Sequence, residues 1–514
     1  MAAGQHPAQS PGIRSGEERP SPAFAWWGLL LLLVYTTWAW AGLRPSFHLF
    51  SVVWAGILLA GLLAARSGSR RAIFHDPVFF LGLAFLALLA LQWANAGRVQ
   101  YFDVGYLRWM YMPPRWRGWP FAFAAADARQ MLSWFFPAWV VALTLRAPVL
   151  DSRRQRSLLM ALAGNAGLLA LFGLAQYLSG TPAIYWLQPL KGHFFATFAY
   201  GNHAPPFFVL ASALAAGLLY REVFDARLSP ADTPSAARLR HPGRVALLVL
   251  LLGLCLTGAF LGFSRTGVIL ASLLGIFVVG YGWLRGWHVL TPAGRVNFLA
   301  LSLATAAMVY FAVAGVGESG IRREFKLKIA AAEFPSATIW EHIDRELDRR
   351  PRFALAALSI WRQHPWFGVG GWGYKYLVAD EVAEKYWPSL EKRGWANTHC
   401  DPLQFLAEFG LVGAGLLGAA LAVMARRVCR RECRRQALGV MCIVGLGLVV
   451  LFSLVDLPFR SPAILYTWIA VLAALPQVCR SGPAAAAAGR PHRNAETIWE
   501  LTATRATPPE RIRR

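Results

Sequence analysis

The chain has 514 residues, of which 56% are hydrophobic and only 15% are charged, and its mean hydropathy is +0.42. This composition excludes an ordinary soluble domain. The net charge of +24 would suit nucleic acid, but we expect no nucleic-acid partner, because the basic residues cluster in loops between apolar runs. The six cysteines show no C-x-x-C and no spacing typical of a disulfide framework or zinc site.

Apolar runs of about 18 to 25 residues recur along the chain, and each can cross the roughly 30 Å hydrocarbon layer as a helix. They predict an all-α, polytopic transmembrane helical bundle of about 12 spans with one large helical loop. The predicted spans are 24–43, 47–65, 77–94, 130–146, 157–178, 204–220, 245–263, 266–284, 297–314, 403–424, 438–456 and 461–479.

The domain organisation follows from these spans. The predicted units are a disordered tail (1–23), spans one to nine (24–314), the large loop (315–402), spans ten to twelve (403–480) and a second disordered tail (481–514). Both tails should be cytoplasmic, because the Lys- and Arg-rich loops fall on their side of the membrane. Much of the positive charge would then set the topology and contact anionic membrane lipids.

Two segments on the non-cytoplasmic side are long. Residues 95–129 mix Trp, Tyr, Arg and Pro, which predicts a piece lying at the membrane interface rather than a packed domain. Within 315–402, SATIWEHIDRELDRR and PRFALAALSIWRQ predict two helices, with Pro351 in the first turn of the second.

Polar residues collect near span ends on this non-cytoplasmic side. Ionisable groups at membrane depth cost several kcal/mol unless they are paired or hydrated, so they are candidates for function. The set is Asn202, His203, Arg265, the arginines of DRRPRF, His399, Asp401, Asp456 and Arg460.

Arg265 lies in a very short link between two spans, flanked by Ser264 and Thr266. It is either an arginine snorkelling to the interface or a bidentate phosphate ligand helped by the following helix N-terminus. The scarcity of basic residues on this side is the argument for phosphate.

The stretch HCDPLQFLAE predicts a helix start, with Asp401 as N-cap, Pro402 at N1 and Gln404 at N3. His399 then precedes the positive end of the helix, which favours the neutral ring that a general base requires. The alternative is a structural loop histidine. Glu408 lies on nearly the same face as Asp401, as an acceptor-binding or supporting group or as one side of an interhelical hydrogen bond.

Other chemistry finds little support. HPWFGVGGWGY (364–374) is either a tight turn packed on the membrane or a platform for stacking sugars. There is no D-x-D, no Walker motif and no G-x-G-x-x-G between a strand and a helix, so we expect no metal, no nucleotide and no other cofactor.

Four stretches resemble the O-antigen ligase and polymerase superfamily, which are membrane glycosyltransferases. These are ATFAYGNHAPPFF, FLGFSRTGVILA, RRPRFALAALSIWRQHPWFGVGGWGY and THCDPLQFLAEFGLVG, in family order. Cys400 and Pro402 stand where the family usually has Asn and Tyr, and the Pro pair after His203 replaces smaller residues.

The resemblance implies an inverting, metal-independent transfer of glycan from undecaprenyl diphosphate to a saccharide acceptor such as lipid A core. It implies His399 as the base, Arg265 with Arg350 or Arg352 as diphosphate ligands (Arg349 being a near alternative), and Asn202, Asp401 and Glu408 as acceptor-binding or supporting residues. The protein would lie in the cytoplasmic (inner) membrane with its site and large loop facing the periplasm.

Three functions stay open. The single large loop and the absence of a C-terminal soluble domain in this sequence favour a ligase over an O-antigen or exopolysaccharide polymerase of the same superfamily. A lipid-glycan flippase or transporter would show charged residues near the midplane and similar halves, neither of which the sequence has.

Overall fold

A computed structural model of the chain describes residues 22–64, 67–103, 108–190, 193–224, 241–331, 339–383 and 397–480. The predicted disordered tails lie outside these residues, apart from the last two of 1–23. The helices are α1 (Pro22–Trp38), α2 (Pro45–Leu63), α3 (Ser67–Phe74), α4 (Pro77–Ala94), α5 (Ala125–Arg146), α6 (Ser152–Leu178), α7 (Ala204–Val223), α8 (Pro242–Leu261), α9 (Arg265–Val289), α10 (Pro292–Ala331), α11 (Ile339–Gln363), α12 (Tyr374–Glu381), α13 (Asp401–Val428), α14 (Arg431–Arg435), α15 (Ala437–Ser453) and α16 (Pro462–Arg480). Short strands are β1 (Arg98–Asp103), β2 (Arg108–Met112), β3 (Ala183–Ile184) and β4 (Gln188–Pro189).

The prediction of an all-α polytopic bundle is confirmed. Each predicted span falls on one helix, and within the described ranges nine helices are long and apolar enough to cross a membrane. The apolar helices α1 and α15 are slightly shorter, at 17 residues each, and α5, which carries the fourth predicted span, is not one of the nine. The ninth predicted span is part of a longer helix, since α10 is 40 residues long and extends to Ala331, within the predicted large loop.

The two ends of the bundle differ in charge. Asp76, just before α4, pairs with Arg146 at the end of α5 (2.7 Å) and lies 3.9 Å from Arg427 at the end of α13. We call this the basic end. Because α4 and α13 are antiparallel, with Phe85 against Phe405, α13 begins at the other end. We call that the mouth end; α7, α9, α13 and α16 all begin there.

Helix α13 is broken at Gly410, which has φ +62° and ψ −168°. The groups that the break frees are paired by the turn 364–371, which follows α11. Val369 and Gly370 donate their N–H groups to the carbonyls of residues 407 and 408 (3.1 and 2.8 Å), and residues 411 and 412 donate to those of 365 and 366 (2.8 and 3.0 Å). Unpaired backbone groups are costly at membrane depth, so this turn is what allows the break.

Two glycines make that contact possible. A Cβ atom on Gly368 would lie 2.4 Å from the carbonyl carbon of Glu408, and one on Gly410 would lie 2.4 Å from that of Trp366. Both residues also have positive φ. The glycine-rich motif is therefore a tight turn pressed against a helix backbone, which was one of its two interpretations.

Two local expectations differ from the structure. The prediction of two helices meeting at Pro351 is wrong, because α11 is a single helix with Pro351 inside it. A proline removes one backbone donor and bends a helix without always ending it. The segment 95–129 contains the antiparallel hairpin β1–β2, whose Trp109 packs edge-on against Tyr376 of α12, so part of this segment belongs to a small packed cluster.

We predict that Gly410→Ala lowers the free energy of unfolding by about 2 kcal/mol or more, because the new methyl group meets backbone and the left-handed conformation disfavours alanine. Gly415→Ala is the matched control, since a Cβ there meets nothing within 4 Å and helix propensity favours alanine by up to about 1 kcal/mol. Thermal unfolding of the two purified variants in one detergent checks this, and equal midpoints would contradict the assigned role of the break.

Candidate active site at the mouth end

The Asp456 carboxylate is the centre of the polar cluster at the mouth end. It lies in the link between α15 and α16. Its Oδ2 accepts a hydrogen bond from Asn202 Nδ2 at 2.5 Å, and its Oδ1 accepts one from the Leu457 N–H at 2.9 Å. The Tyr200 hydroxyl lies 3.3 and 3.4 Å from the two oxygens. Oδ1 is also 3.5 Å from Nδ1 of His399, which completes the cluster.

The protonation of Asp456 follows from its partners. Burial acts to raise the pKa of this carboxyl, but His399, His203 and the Leu457 N–H together outweigh burial and lower it below its ordinary value. Burial and the Asp456 charge raise the pKa of the Tyr200 hydroxyl, which keeps it a hydrogen-bond donor. Asp456 is therefore an anion at neutral pH.

The sign of the pH dependence follows from this lowered pKa. A carboxyl whose pKa is depressed by folding stabilises the folded state above its unfolded pKa of about 3.9, and loses that contribution as the pH falls through its folded pKa. Asp456 does not titrate between pH 6 and 8, so a pH dependence in that range has another source.

The His399 backbone is held in an uncommon conformation. Its φ is +54°, which non-glycine residues adopt only when their surroundings impose it. The Thr398 hydroxyl fixes the residue after His399, since it donates to the Cys400 carbonyl (2.8 Å) and accepts from the Cys400 N–H (3.0 Å). With Nδ1 turned to Asp456, Nε2 lies on the opposite edge of the imidazole ring.

The assignment of Asp401 as N-cap is wrong. Cys400 is the N-cap of α13 and makes no side-chain capping bond, while Asp401 is the first helical residue. Asp401 instead accepts from the Phe459 N–H at 2.9 Å and lies 3.8 Å from Nε of Arg460. Asp401 therefore bonds to another segment instead of capping its own helix, and it connects the start of α13 to the link before α16.

Glu408 is fully buried. Its Oε2 accepts from Arg460 Nη2 at 2.6 Å and its Oε1 accepts from Gln404 Nε2 at 2.9 Å. Both carboxylate oxygens therefore accept hydrogen bonds, one from the link before α16 and one from α13 itself. This agrees with the interpretation of Glu408 as one side of a hydrogen bond between segments. The structure places Glu408 behind His399 rather than beside an open surface.

Arg265 is the first residue of α9 and its side chain is exposed. Ser264 caps the helix by accepting from the Gly267 N–H at 3.4 Å. The link before α9 packs tightly on the segment that carries Asn202, because a Cβ on Gly262 would lie 2.5 Å from Pro205. Arg265 therefore lies beside the Asn202 segment at the mouth end.

Of the candidate arginines on α11, Arg350 reaches the cluster. Its Nη1 donates to the carbonyl of Val455 at 3.1 Å, next to Asp456, and its charge acts on Tyr200. Arg352 is exposed and lies two residues further, about 200° around the helix. The side chain of Arg349 lies outside the described part of the chain.

The electrostatics of the mouth end favour an anion. Helices α7, α9, α13 and α16 begin there and direct the positive ends of their dipoles toward it. Arg265 and Arg350 add two positively charged guanidinium groups. The Asp456 carboxylate already accepts hydrogen bonds from its own donors. Among the described residues there is no group of three His, Cys, Asp or Glu side chains that could hold a metal ion.

Sequence reasoning gave no role to several residues of this cluster. Asp456 and Arg460 stood out only as polar residues near a span end, and Tyr200 gave no signal, since aromatic residues are common at membrane interfaces. The observation available in the sequence was that both charges of DLPFR fall on the same side as His399. Their partners are remote in sequence, so only the fold pairs them.

The fold and this cluster define a helical integral membrane protein with a histidine–carboxylate pair and arginines at one membrane face. Residues 248–418 match the family model described as O-antigen ligase. This match covers about a third of the chain and supports the O-antigen ligase superfamily, which consists in general of membrane glycosyltransferase-like enzymes. No curated protein matches the chain. Arg265, Arg350, His399 and Glu408 lie within the matched segment, whereas Asn202 and Asp456 lie outside it.

Two natural cysteines allow the sidedness of the cluster to be measured. Cys400 adjoins His399, and the exposed Cys429 follows the other end of α13. In single-cysteine variants, we expect a membrane-impermeant maleimide to label Cys400 and Arg265→Cys from one side of sealed vesicles and Cys429 from the other. Labelling of Arg265→Cys and Cys400 from opposite sides would separate the two halves of the site.

Proposed function

We propose that this protein is an inverting, metal-independent glycosyltransferase that moves a glycan from undecaprenyl diphosphate to a saccharide acceptor. The observation that supports this best is the His399–Asp456 pair beside Arg350 at the membrane face. A donor with a long lipid tail can present its diphosphate only at such a depth. The O-antigen ligase match supports glycosyl transfer as the class of reaction.

In this mechanism His399 is the general base. Nδ1 faces the Asp456 carboxylate, which orients the ring and stabilises the imidazolium that forms. Nε2 takes the proton of the acceptor hydroxyl as its oxygen attacks the anomeric carbon opposite the diphosphate. The bond from that carbon to the diphosphate oxygen breaks, so the configuration inverts. Base catalysis of this kind contributes about 10²- to 10⁴-fold.

The leaving diphosphate is held by Arg265 and Arg350. Charge develops on its bridging oxygen as the glycosidic bond breaks, and fixed guanidinium groups with helix N-termini can stabilise that charge. Asn202 serves as a supporting residue through its hydrogen bond to Asp456. Arg352 is the less favoured second arginine because Arg350 is the one that contacts the Asp456 link.

The same proposal includes orientation and acceptor. The basic end lies on the cytoplasmic side, by the positive-inside rule, and the mouth end faces the periplasm of the inner membrane. Lipid A core is the proposed acceptor, which makes the protein a ligase; a polymerase would use the next repeat unit in the same site. The described polar cluster gathers at one end of the bundle, which argues against a flippase with charges near the midplane.

Genetic complementation tests the reaction and the base together. Deleting the gene should leave lipid A core without attached polysaccharide, and wild type should restore attachment. We expect His399→Ala to restore none and Asp456→Asn to restore transfer reduced by about 10²-fold or more, because the ring loses its orienting anion. Membrane levels of each variant are compared by immunoblot.

Normal attachment by His399→Ala would remove the base assignment, and failed polymerisation with normal attachment would make the protein a polymerase.

A conservative change tests the diphosphate contact. Arg265→Lys keeps the charge but loses the planar fork, so we expect transfer to fall by about 10-fold or more with no loss of stability. Arg44→Lys is the control, because Arg44 precedes α2 at the same end and stacks 3.8 Å over Trp40. Rates measured on purified protein with lipid-linked donor decide this. Equal rates for both variants would mean that Arg265 only anchors its helix at the interface.

A further inference from the structure

A line of buried hydrogen bonds runs beneath His399 and is not used by the chemistry above. It begins at Arg460, whose Nη2 donates to Glu408 at 2.6 Å. The other oxygen of Glu408 accepts from Gln404 at 2.9 Å. The Gln404 carbonyl oxygen then accepts from the backbone N–H of Thr398 at 3.2 Å, the residue just before His399. Each of these side chains is buried.

The line connects the two segments that carry the histidine and the carboxylate. Arg460 lies four residues after Asp456 in the same link, and Thr398 is the direct neighbour of His399. A second connection runs in parallel, because Asp401 accepts from the Phe459 N–H at 2.9 Å. Hydrogen bonds between these two segments therefore set the 3.5 Å separation between Nδ1 of His399 and Oδ1 of Asp456.

The Arg460 guanidinium is itself fixed on its remaining sides. Its central carbon lies 4.6 Å from the ring centre of Trp372, and its Nη1 lies 3.9 Å from the Met131 sulfur. Trp372 follows the glycine-rich turn that completes the broken helix α13. Because this buried guanidinium is contacted on several sides, its position is fixed. The position of the link that carries Arg460 therefore determines the position of Glu408.

The line also explains how His399 keeps a positive φ. A left-handed conformation at a residue with a side chain costs of the order of 1–3 kcal/mol and persists only where its neighbours are held. Gln404 holds the N–H of Thr398, and the Thr398 hydroxyl in turn holds the Cys400 backbone. Without Gln404, the stretch from Thr398 to Cys400 is free to relax to an ordinary conformation that re-aims the imidazole.

We propose that Arg460, Glu408 and Gln404 are positioning residues that hold the imidazole of His399 against Asp456 in its reactive orientation. They act through the backbone of Thr398 and touch no substrate. This inference rests on the proposed function, since it assigns them to the same transfer reaction.

The charged and titratable groups around the His399–Asp456 pair are Tyr200, His203, Arg350 and Asp401. The Glu408 charge also acts on Asp401, whereas a change of Gln404 to alanine removes no charge. A carboxylate close to an imidazole favours the protonated ring, and this effect weakens as the two separate. Loosening the line separates the imidazole from its orienting carboxylate and should therefore slow transfer.

The test compares two isosteric neutralisations. Glu408→Gln removes the buried charge from the line. Asp127→Asn is the matched control, because Asp127 is a largely buried carboxylate at the same end, bonded to Lys375 (3.0 Å) and the Tyr376 hydroxyl (2.6 Å). For Glu408→Gln we expect kcat per folded protein to fall by about 10- to 100-fold, with KM for the lipid-linked donor changed by less than about 3-fold. Asp127→Asn should keep the wild-type kcat, whatever it does to stability.

Gln404→Ala gives a second, independent variant that leaves the Arg460–Glu408 pair in place, in case Glu408→Gln does not fold. It should show the same loss of kcat, again with KM for the lipid-linked donor changed by less than about 3-fold. If Glu408→Gln or Gln404→Ala behaves like the control in kcat, the positioning role is wrong. His399→Ala is measured alongside: if it retains activity, the proposed base itself fails, which is a separate result.

Discussion

The structure depends on one constraint: a helix broken at membrane depth must have its freed backbone groups paired. In α13 the break at Gly410 is completed by the turn 364–371, whose amides and carbonyls replace the missing helical bonds. The break lets the first segment of α13 take its own direction against the link before α16. That approach brings His399 to Asp456 and Glu408 to Arg460. The glycines at 368 and 410 are thus conditions of the site, although neither has a side chain to offer it.

The second element of the design is how charge is balanced at the mouth end. Two carboxylates, Glu408 and Asp401, lie around a single guanidinium, Arg460, and this set is buried and closed. Asp456 lies outside that set and is held by an amide, a hydroxyl and a backbone N–H, which leave it free to face an imidazole. Arg265 and Arg350 lie on two other helices, and Arg350 donates to the carbonyl of Val455 beside Asp456. Buried ions need full sets of partners, so this separation is what permits ionised groups at a membrane face.

The sequence predicted the features that are encoded locally. Hydropathy alone located the long helices of the bundle, because a helix that crosses a membrane must be apolar over most of its length, as 204–220 is. It also led to His399, Arg265 and Asn202 as candidates, since polar residues at span ends are uncommon. It failed where a remote partner decides the structure. Asp401 has the neighbours of an N-cap, yet it bonds to the Phe459 backbone, and Pro351 has the context of a helix start, yet α11 continues through it. The hairpin β1–β2 is stabilised by α12, some 260 residues later in the chain, which no local pattern reports.

The division of the site between segments has a consequence for how it forms. The part of the chain that matches O-antigen ligase holds the two arginines and the histidine, while the orienting carboxylate and its amide partner come from links outside that part. In the proposed mechanism, a histidine that lacks its orienting carboxylate is a less effective base. The pair exists only once α13 has packed against the link before α16 and the α7 segment has brought Asn202 to Asp456. Under the proposed function, competence for transfer is therefore a property of the assembled bundle, and a change that loosens the contact between these segments would slow the reaction without altering a reacting group.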